Sequence, residues 1–294
     1  MRHVVFVLEV GDAVAALERI GRRRDVYELS VDGIPQSRIS LVEPRTLAFE
    51  YTQWIGRILD AAAPASDPLT VVHLGAGALT LPRYVAATRP GSPQFVVERE
   101  QELLEGVLNA LPLPDGADVT IAYGDARAVA TEAATQGWPE AADAAIVDLW
   151  SGALIGARVA SREFYALVAE RLAPGGLLVV NLLDGPGFEY TRSQAATLAS
   201  LLPSVAALIE PRMTSNTELG NVVLVASTRP LGAVLEGLKS PGGAREAGPH
   251  IVEGEALRAW IGDAAPVDDS TAIDSPPMED EHFARHFGRP LPGL

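Results

Sequence analysis

The sequence predicts an α/β fold, with strands and helices alternating around a mostly parallel sheet behind a small β-rich N-terminal region. From residue 70 onward, short apolar runs alternate with segments of helical periodicity, which is typical of a doubly wound sheet. A glycine turn, Gly75 to Gly77, follows the first of these runs, and an acid, Glu98, follows the second. Residues 1–42 instead contain strand-like runs separated by turn signals.

The length and composition fit one large domain with a modest appendage. The chain has 294 residues, of which 48% are hydrophobic. We expect residues 1–62 to form an N-terminal β-hairpin region with a linking helix, and residues 63–294 to form the main domain with an irregular C-terminal tail. The apolar runs are too short for a membrane span, and no leader segment is recognisable. Because the chain has 0 cysteines, thiolate chemistry is excluded, and we expect a cytoplasmic location.

The charge argues against one class of partner. A formal net charge of -15 would repel the phosphates of nucleic acids, so no nucleic-acid partner is expected. The same charge suits a cationic substrate such as a polyamine, and it equally serves solubility. Lys239 is the only lysine, which disfavours a Schiff-base mechanism.

The N-terminal region is predicted to contain three strands and a helix. The strands cover residues 3–9, 25–31 and 36–42, and Asp32-Gly33-Ile34-Pro35 forms the turn between the last two. Apolar residues at helical spacing predict a helix within residues 45–59.

The main domain is predicted to contain seven strands. Its strands are expected at residues 70–74, 94–97, 118–122, 144–149, 177–182, 205–209 and 221–226. Its helices are expected at residues 81–88, 101–110, 126–135, 161–172 and 192–201. The last two strands lack a helix between them, which predicts an antiparallel hairpin at the sheet edge. After residue 230 the pattern weakens to a loop at 240–249, a short helix at 254–261 and a tail rich in proline and aspartate.

The predicted strand ends carry residues suited to a nucleotide. In an open parallel sheet, ligands bind beyond the carboxyl ends of the strands, where the strand order reverses. Gly75 and Gly77 would let backbone N–H groups approach the ligand, and Glu98 would accept both ribose hydroxyls. Asp125 and Asp148 follow the next two predicted strands. Asp125 could accept a hydrogen bond from the adenine amine, and Asp148 would lie on the side of the site where the reaction takes place.

Each of these assignments has a rival. Asp125 alone is typical of a helix cap, and Asp148 could make a loop hydrogen bond only. An NAD site would need a third glycine where Thr80 stands, and it gives no role to Asp125 or Asp148, so it is disfavoured. His73, inside the first strand of the main domain, is interpreted as a core residue.

These motifs resemble those of spermidine synthases, the polyamine aminopropyltransferase branch of the class I S-adenosylmethionine-dependent methyltransferase fold. The resemblance covers about residues 26–227. It rests on the segments VDGIPQ (31–36), LGAG (74–77), VVE (96–98), GDA (124–126), AIVD (145–148) and REFYALVAERLAPGGLLVVN (162–181). It implies a Rossmann-like seven-stranded methyltransferase fold with a small N-terminal β-domain.

The resemblance also implies a cofactor and its contacts. The cofactor would be S-adenosylmethionine, or decarboxylated S-adenosylmethionine for aminopropyl transfer. Glu98 would bind the ribose, Asp125 with its neighbour Ala126 the adenine, and Gln36 would lie near the sulfonium tail. The family usually forms dimers or tetramers, so a homodimer is expected.

The sequence departs from the family pattern on the acceptor side. Ala78 stands where the glycine turn of the family has an aspartate that holds the amino end of the transferred chain. Ser151 stands where the family has the aspartate that takes a proton from the attacking amine. The family has a tyrosine and a glutamate on its first helix, and the nearest counterpart here, Phe49-Glu50-Tyr51, has a different spacing. The family also has a later proline–tyrosine motif, which is missing from residues 213–220 of this chain.

The predicted function is therefore group transfer from an S-adenosyl-type cofactor to a small-molecule acceptor, with methyl transfer favoured by Ala78 and Ser151. Asp148 is the candidate catalytic residue, and Trp150 and Ser151 are the candidates for acceptor binding. True aminopropyl transfer to putrescine is the first alternative, and a non-catalytic nucleoside-binding protein is the second. His282 and His286 have the spacing of metal ligands but no assignable third ligand, so no metal is expected.

Overall fold

The computed structural model describes residues 2–21, 25–150, 154–215, 219–239 and 248–277. The chain forms two sheets, a small antiparallel one at the N-terminus and a large mixed one. Among the described residues, none of the helices has the length and apolarity needed to cross a lipid bilayer.

The small sheet has four strands that pair antiparallel in chain order. Its strands are β1 (His3–Val10), β2 (Ala13–Arg19), β3 (Val26–Val31) and β4 (Ile34–Ser40). The sequence analysis missed β2, because most residues of its sequence AVAALER are good helix formers. Tertiary packing decides the outcome there, because alternate residues Ala15 and Leu17 are fully buried in a cluster with Leu103 and Val107.

The large sheet has eight strands in the order β12-β10-β11-β9-β8-β5-β6-β7. Its strands are β5 (Val71–Leu74), β6 (Gln94–Glu98), β7 (Val119–Tyr123), β8 (Ala142–Val147), β9 (Leu172–Asp184), β10 (Ser204–Ile209), β11 (Gly220–Ser227) and β12 (His250–Glu253). The five strands from β5 to β9 pair parallel, and the chain order reverses between β5 and β8. The predicted antiparallel hairpin is confirmed as β10 and β11, and β12 is an eighth strand that the sequence analysis missed.

The described residues contain nine α-helices. They are α1 (Glu50–Ala62), α2 (Thr80–Thr88), α3 (Gln101–Ala110), α4 (Ala126–Thr131), α5 (Ala133–Gln136), α6 (Arg162–Ala169), α7 (Glu189–Ala199), α8 (Gly232–Lys239) and α9 (Gly254–Ile261). The predicted helix over 126–135 is two helices, because α4 ends at Thr131 and Glu132 is both its C-cap and the N-cap of α5. Helix α8 was not predicted, although its apolar residues pack against α1.

The helices cover both faces of the large sheet. Helices α1, α2 and α8 pack on one face with Ile146, Val179 and Val223. Helices α4, α6, α7 and α9 pack on the other face with Val147 and Val222. Both layers therefore hold the central strands in place and leave their carboxyl ends open toward β4 and the start of α1. The predicted α/β fold with a small N-terminal β-region is confirmed, and the boundary at residue 62 stays a prediction.

Candidate active site

A cavity of about 850 Å³ lies beyond the carboxyl ends of β5, β6 and β8, at the point where the strand order reverses. Strand β4 and the first turn of α1 form its other side. Eight of the nine residues proposed for the site line this one cavity: Gln36, Gly75, Gly77, Glu98, Asp125, Ala126, Asp148 and Trp150. The ninth, Ser151, lies outside the described residues.

The glycine turn after β5 is shaped by two close approaches. Gly75 has φ +94°, and a side chain there would collide with the carbonyl oxygen of Asp148. Gly77 has φ +51°, and a Cβ there would lie 2.5 Å from the Ser37 hydroxyl oxygen. Both positions need glycine, since other residues rarely adopt this backbone conformation and there is no room for a Cβ. The turn therefore contacts β8 on one side and β4 on the other.

Glu98 is fixed by backbone groups at the end of β6. Its Oε2 accepts a hydrogen bond from the Ala76 N–H at 3.0 Å, and its Oε1 accepts one from the Glu100 N–H at 2.9 Å. Each carboxylate oxygen has a second lone pair, so the side chain is oriented without being saturated. It can accept two further hydrogen bonds from a ligand such as a diol.

Asp125 is a helix cap that also lines the cavity, and its contact with an adenine stays a prediction. It caps α4, because its Oδ1 accepts the Ala128 N–H at 3.0 Å. The Arg158 guanidinium lies 3.6 Å from the same oxygen. Both contacts involve Oδ1 and the side chain faces the cavity, so capping is compatible with a ligand contact through Oδ2.

Asp148 is the centre of a polar cluster at the end of β8. Its Oδ1 accepts hydrogen bonds from the Asn181 Nδ2 at 2.8 Å and from the Trp150 Nε1 at 2.9 Å. The Tyr51 hydroxyl, from the first turn of α1, interacts with the same carboxylate. Burial raises the pKa of Asp148 above its usual range, and the hydrogen bonds from Asn181, Trp150 and Tyr51 oppose that rise. A buried carboxylate with a raised pKa is a stronger base than an exposed one, which is what a general base requires.

Two residues of this cluster were missed from the sequence. Tyr51 belongs to the apolar stripe of α1 and looked like a core residue. Asn181 interrupts the apolar run LLVVNLLD of β9, and that interruption was the available signal, because a buried polar side chain needs a partner. Trp150, the candidate for acceptor binding, donates its indole N–H to Asp148, and its role toward an acceptor stays a prediction.

The far wall of the cavity is also charged. Glu210, at the end of β10, is 2% exposed and is paired with Arg212, and its Oε1 accepts the Asn221 N–H at 3.0 Å. Glu50 lies at the start of α1 and lines the same cavity. Partial burial, then the negative charge of Glu210, raise the pKa of Glu50, and Arg212 opposes this. With Asp148, this wall favours a cationic group.

Comparison with solved structures finds spermidine synthases and methyltransferases. The chain is similar to a probable spermidine synthase from Corynebacterium glutamicum, with 27% identity over 94% of this chain and 100% of that one and a TM-score of 0.79. A spermidine synthase from Thermotoga maritima matches with 13% identity over 97% of this chain and 87% of that one, at a TM-score of 0.55. Human methyltransferase-like protein 13, solved with SAH, matches with 18% identity over 68% of this chain and 97% of that one, at a TM-score of 0.51. No protein-family model matches the sequence, and no curated protein matches it.

The chain is thus similar to spermidine synthases. The resemblance seen in the sequence motifs is thereby confirmed, as is the methyltransferase fold. The predicted class, an S-adenosyl-type group transferase, agrees with these neighbours.

This spermidine synthase-like chain departs from the family pattern at Ala78, and the structure shows what surrounds that residue. Ala78 is 1% exposed and packs in an apolar cluster with Leu29, Ile39 and Leu103. Its N–H donates to the Ser37 hydroxyl at 3.0 Å. The space beside Ala78 is thus filled by apolar side chains.

His73 lines the cavity from within β5. His73 is buried, its Nε2 lies 2.9 Å from Gln94 Oε1, and burial lowers its pKa to about 4 despite that contact. It is a neutral core residue, as expected from the sequence. Within the described ranges, no three or more acidic or histidine side chains are grouped to hold a metal, and His282 and His286 lie outside those ranges.

Proposed function

We propose that the protein transfers an aminopropyl group from a decarboxylated S-adenosylmethionine-type donor to an amine acceptor. The observation that carries this proposal is one cavity in which Glu98, suited to a ribose, and Asp148, suited to a base, stand at the ends of strands flanking β5. The spermidine synthase neighbours favour aminopropyl transfer over the methyl transfer preferred from the sequence alone. One of these neighbours was solved with the transition-state analogue AdoDATO, at 12% identity and a TM-score of 0.57.

The residues present fit an adenosyl donor. The turn at Gly75 and Gly77 leaves no room for a Cβ, and Glu98 is oriented with lone pairs to spare. In the proposal, Glu98 accepts the ribose hydroxyls, Asp125 with Ala126 receives the adenine, and Gln36 lies beside the sulfonium tail. When bound, the donor supplies a sulfonium-activated carbon as the electrophile.

The chain itself aligns the nucleophile and receives its proton. Asp148 accepts a proton from the acceptor ammonium, and its raised pKa suits that role. The amine nitrogen then forms a bond to carbon as the carbon–sulfur bond breaks, and the electron pair of that bond stays on sulfur. Trp150 and Ser151 stay on the acceptor side in this proposal, and the wall of Glu50 and Glu210 favours the cationic acceptor.

Methyl transfer is the second candidate, and Ala78 favours it. The ammonium tail of the aminopropyl donor has no carboxylate of its own, whereas the tail of S-adenosylmethionine is a zwitterion. The apolar cluster around Ala78 offers no carboxylate to balance the ammonium of the aminopropyl donor. The third possibility, a protein that binds nucleoside without turnover, predicts cofactor binding and no product.

The test compares both donors on the wild-type protein and on Asp148→Asn. Binding of S-adenosylmethionine and of its decarboxylated form is measured by calorimetry, and products from 1,4-diaminobutane are identified by mass spectrometry. We expect product with the decarboxylated donor and a loss of about 10²-fold or more in turnover for Asp148→Asn, with donor binding retained. Asp263→Asn, an exposed carboxylate outside the cavity lining, is the control. Methylated product from S-adenosylmethionine would select the second candidate, and donor binding without any product would select the third.

A homodimer is also proposed, through the outer face of the small sheet. Val7 of β1 and Val14 of β2 lie on the same face and are 58% and 45% exposed. Strand β1 is an edge strand in the described sheet, and exposed apolar edges favour association with another chain. The cytoplasmic location stays a prediction from the composition.

A further inference from the structure

The 264–277 segment, which follows α9, is docked on the two helices α6 and α7. The Val267 carbonyl accepts the N–H of Arg162, the first residue of α6, at 2.9 Å. The Val267 N–H donates to the hydroxyl of Thr197, in α7, at 2.9 Å. The chain is thus held against the large domain for the whole distance between α9 and the cavity.

The far end of this segment is hydrogen-bonded to the wall of the cavity. Asp274 itself lines the cavity, and its Oδ1 accepts the Ala157 N–H at 2.8 Å. Ser275 pairs twice with Ile155, because its hydroxyl accepts the Ile155 N–H at 3.0 Å and its N–H donates to the Ile155 carbonyl at 2.9 Å. Residues 156–159 line the same cavity, so the segment and this wall form one side of it.

The tip of that wall, residues 156–158, is not fixed by packing. A Cβ at Gly156 would meet open space, and the Arg158 side chain is 73% exposed. The tip nevertheless faces the proposed nucleoside side of the cavity, since the Arg158 guanidinium lies 3.6 Å from Asp125 Oδ1. Hydrogen bonds must therefore set where the tip stands relative to Asp125.

Within the described ranges, two hydrogen bonds tie the tip to other elements, and both depend on the 264–277 segment. One joins the Ala157 N–H directly to Asp274. The other joins the Arg127 guanidinium to the Arg158 carbonyl at 2.9 Å. Arg127 is in turn bound by both carboxylate oxygens of Asp269, which belongs to the same segment.

We propose that Asp274 is a positioning residue for donor binding, which holds the tip of residues 156–158 against the adenine end of the donor. This inference rests on the nucleoside half of the proposed function and applies equally to a methyl and to an aminopropyl donor. Asp274 acts through Ala157 and touches no reacting atom, so its loss weakens the donor complex and leaves the chemical step unchanged. Because coupling between two events is reciprocal, donor binding also stabilises docking of the segment.

Calorimetry with 5′-methylthioadenosine tests the first half of this coupling. Asp274→Ala should weaken binding about 5- to 20-fold. Asp274→Asn keeps an oxygen that can accept the Ala157 N–H, so its affinity should stay within about twofold of wild type. Asp263→Ala, at an exposed carboxylate outside the cavity lining, is the matched control. In steady-state kinetics, Asp274→Ala should raise KM for the donor by the same factor and change kcat less than about twofold.

Hydrogen exchange tests the reciprocal half. Saturating 5′-methylthioadenosine should slow exchange of the Val267 and Ser275 N–H groups in wild type, because the ligand favours the docked segment. In Asp274→Ala the ligand should no longer slow exchange at these two positions. A carboxylate that only capped the turn at residues 157–159 would predict no such dependence on the ligand.

Circular dichroism establishes that each variant folds. The inference is overturned if wild type does not bind 5′-methylthioadenosine, or if Asp274→Ala binds it as tightly as wild type does. It is also overturned if Asp274→Asn loses as much affinity as Asp274→Ala, or if the ligand leaves exchange at Val267 and Ser275 unchanged in wild type. If the affinity depends on Asp274 as expected but no aminopropyl product forms, the inference stands and the proposed function falls. Product formation without any dependence of donor binding on Asp274 would give the reverse result.

Discussion

Gly75 and Asp148 are in backbone contact across the switch point of the sheet. A side chain on Gly75 would collide with the Asp148 carbonyl oxygen, and the Asp148 N–H donates to the Leu74 carbonyl at 2.9 Å. The glycine turn and the candidate base are therefore held against each other by backbone contacts. A side chain at Gly75 would therefore displace the backbone of Asp148.

Gly77→Ala should destabilise the protein by about 2 to 4 kcal/mol, because it adds strain at positive φ to a collision with the Ser37 hydroxyl. Gly91→Ala is the matched control, since Gly91 has φ +81° and open space around its Cβ position, so it should cost about 1 to 2 kcal/mol. Urea unfolding measures both. Adding Ser37→Ala to Gly77→Ala should recover part of the loss, and equal costs for the two glycine variants would contradict the collision.

Asp148→Asn should change how stability depends on pH. The unfolded chain ionises this carboxyl near 3.8, and the folded chain ionises it at higher pH because of burial. Between those pKa values the unfolded state binds fewer protons, so wild-type stability falls as pH rises through this window. The Asn variant lacks that decrease.

Urea unfolding of both proteins between about pH 4 and pH 8 tests this linkage. The variant should gain stability relative to wild type as pH rises and then keep a constant advantage. Tyr51 also faces this carboxyl, but its own pKa is raised well above its usual value and it stays protonated in this range. A stability difference that is flat with pH would show that Asp148 carries no burial penalty.

Asp269→Asn should loosen the segment after α9. Both oxygens of Asp269 accept from the Arg127 guanidinium, at 2.6 and 2.5 Å, and Oδ1 also accepts from the Ser161 hydroxyl at 2.6 Å. Arg127 and then Ser161 lower the pKa of Asp269 to about 2. The ionised Asp269 carboxylate therefore stabilises the folded protein above the usual pKa of 3.8, and this stabilisation is lost as pH falls toward 2.

Hydrogen exchange at pH ~7 should therefore be faster around Ser275 and Ile155 in Asp269→Asn than in wild type. These residues pair through the Ser275 N–H and the Ile155 carbonyl at 2.9 Å, so they report whether the segment stays docked. Asp263→Asn removes an exposed carboxylate in the same part of the chain and should leave the exchange unchanged. Equal protection in all three proteins would mean that the Arg127 pair does not hold the segment.

Val7→Lys should dissociate the proposed homodimer without unfolding the monomer, because Val7 is 58% exposed and a lysine there is solvated. Light scattering after gel filtration measures the mass, and thermal unfolding checks the fold. Val42→Lys is the control, since Val42 is 76% exposed and lies outside both sheets. A wild-type protein that is monomeric at all concentrations would contradict the proposed homodimer.

The sequence predicted the site residues best where glycines or acidic side chains stand at the ends of strands. Gly75, Glu98 and Asp148 come directly after apolar runs that form buried strands, and Asp125 follows Gly124 at the end of the less buried strand β7. The position of all four at strand ends is therefore visible in the sequence. Helix α9 was predicted with its observed bounds because its apolar spacing is regular and glycines flank it.

Other features depend on tertiary contacts that local patterns do not contain. Strand β2 has helix-forming letters and becomes a strand through burial of Ala15 and Leu17. Tyr51 reaches Asp148 only because α1 packs against β9 and β11 beside the end of β8. Glu210 and Arg212 come from a segment without any recognised motif, and only the hairpin of β10 and β11 brings them to the cavity.

Gln36 and Asp274 line the same cavity, although nearly the whole described chain separates them. A ribosome releases the hairpin that contains Gln36 long before it releases the segment that contains Asp274. The pocket is consequently complete only after almost all of that chain has emerged and docked. Nascent or truncated chains that lack the segment around Asp274 would lack part of the cavity lining. We therefore expect small-molecule binding only after that segment has been synthesised and has folded.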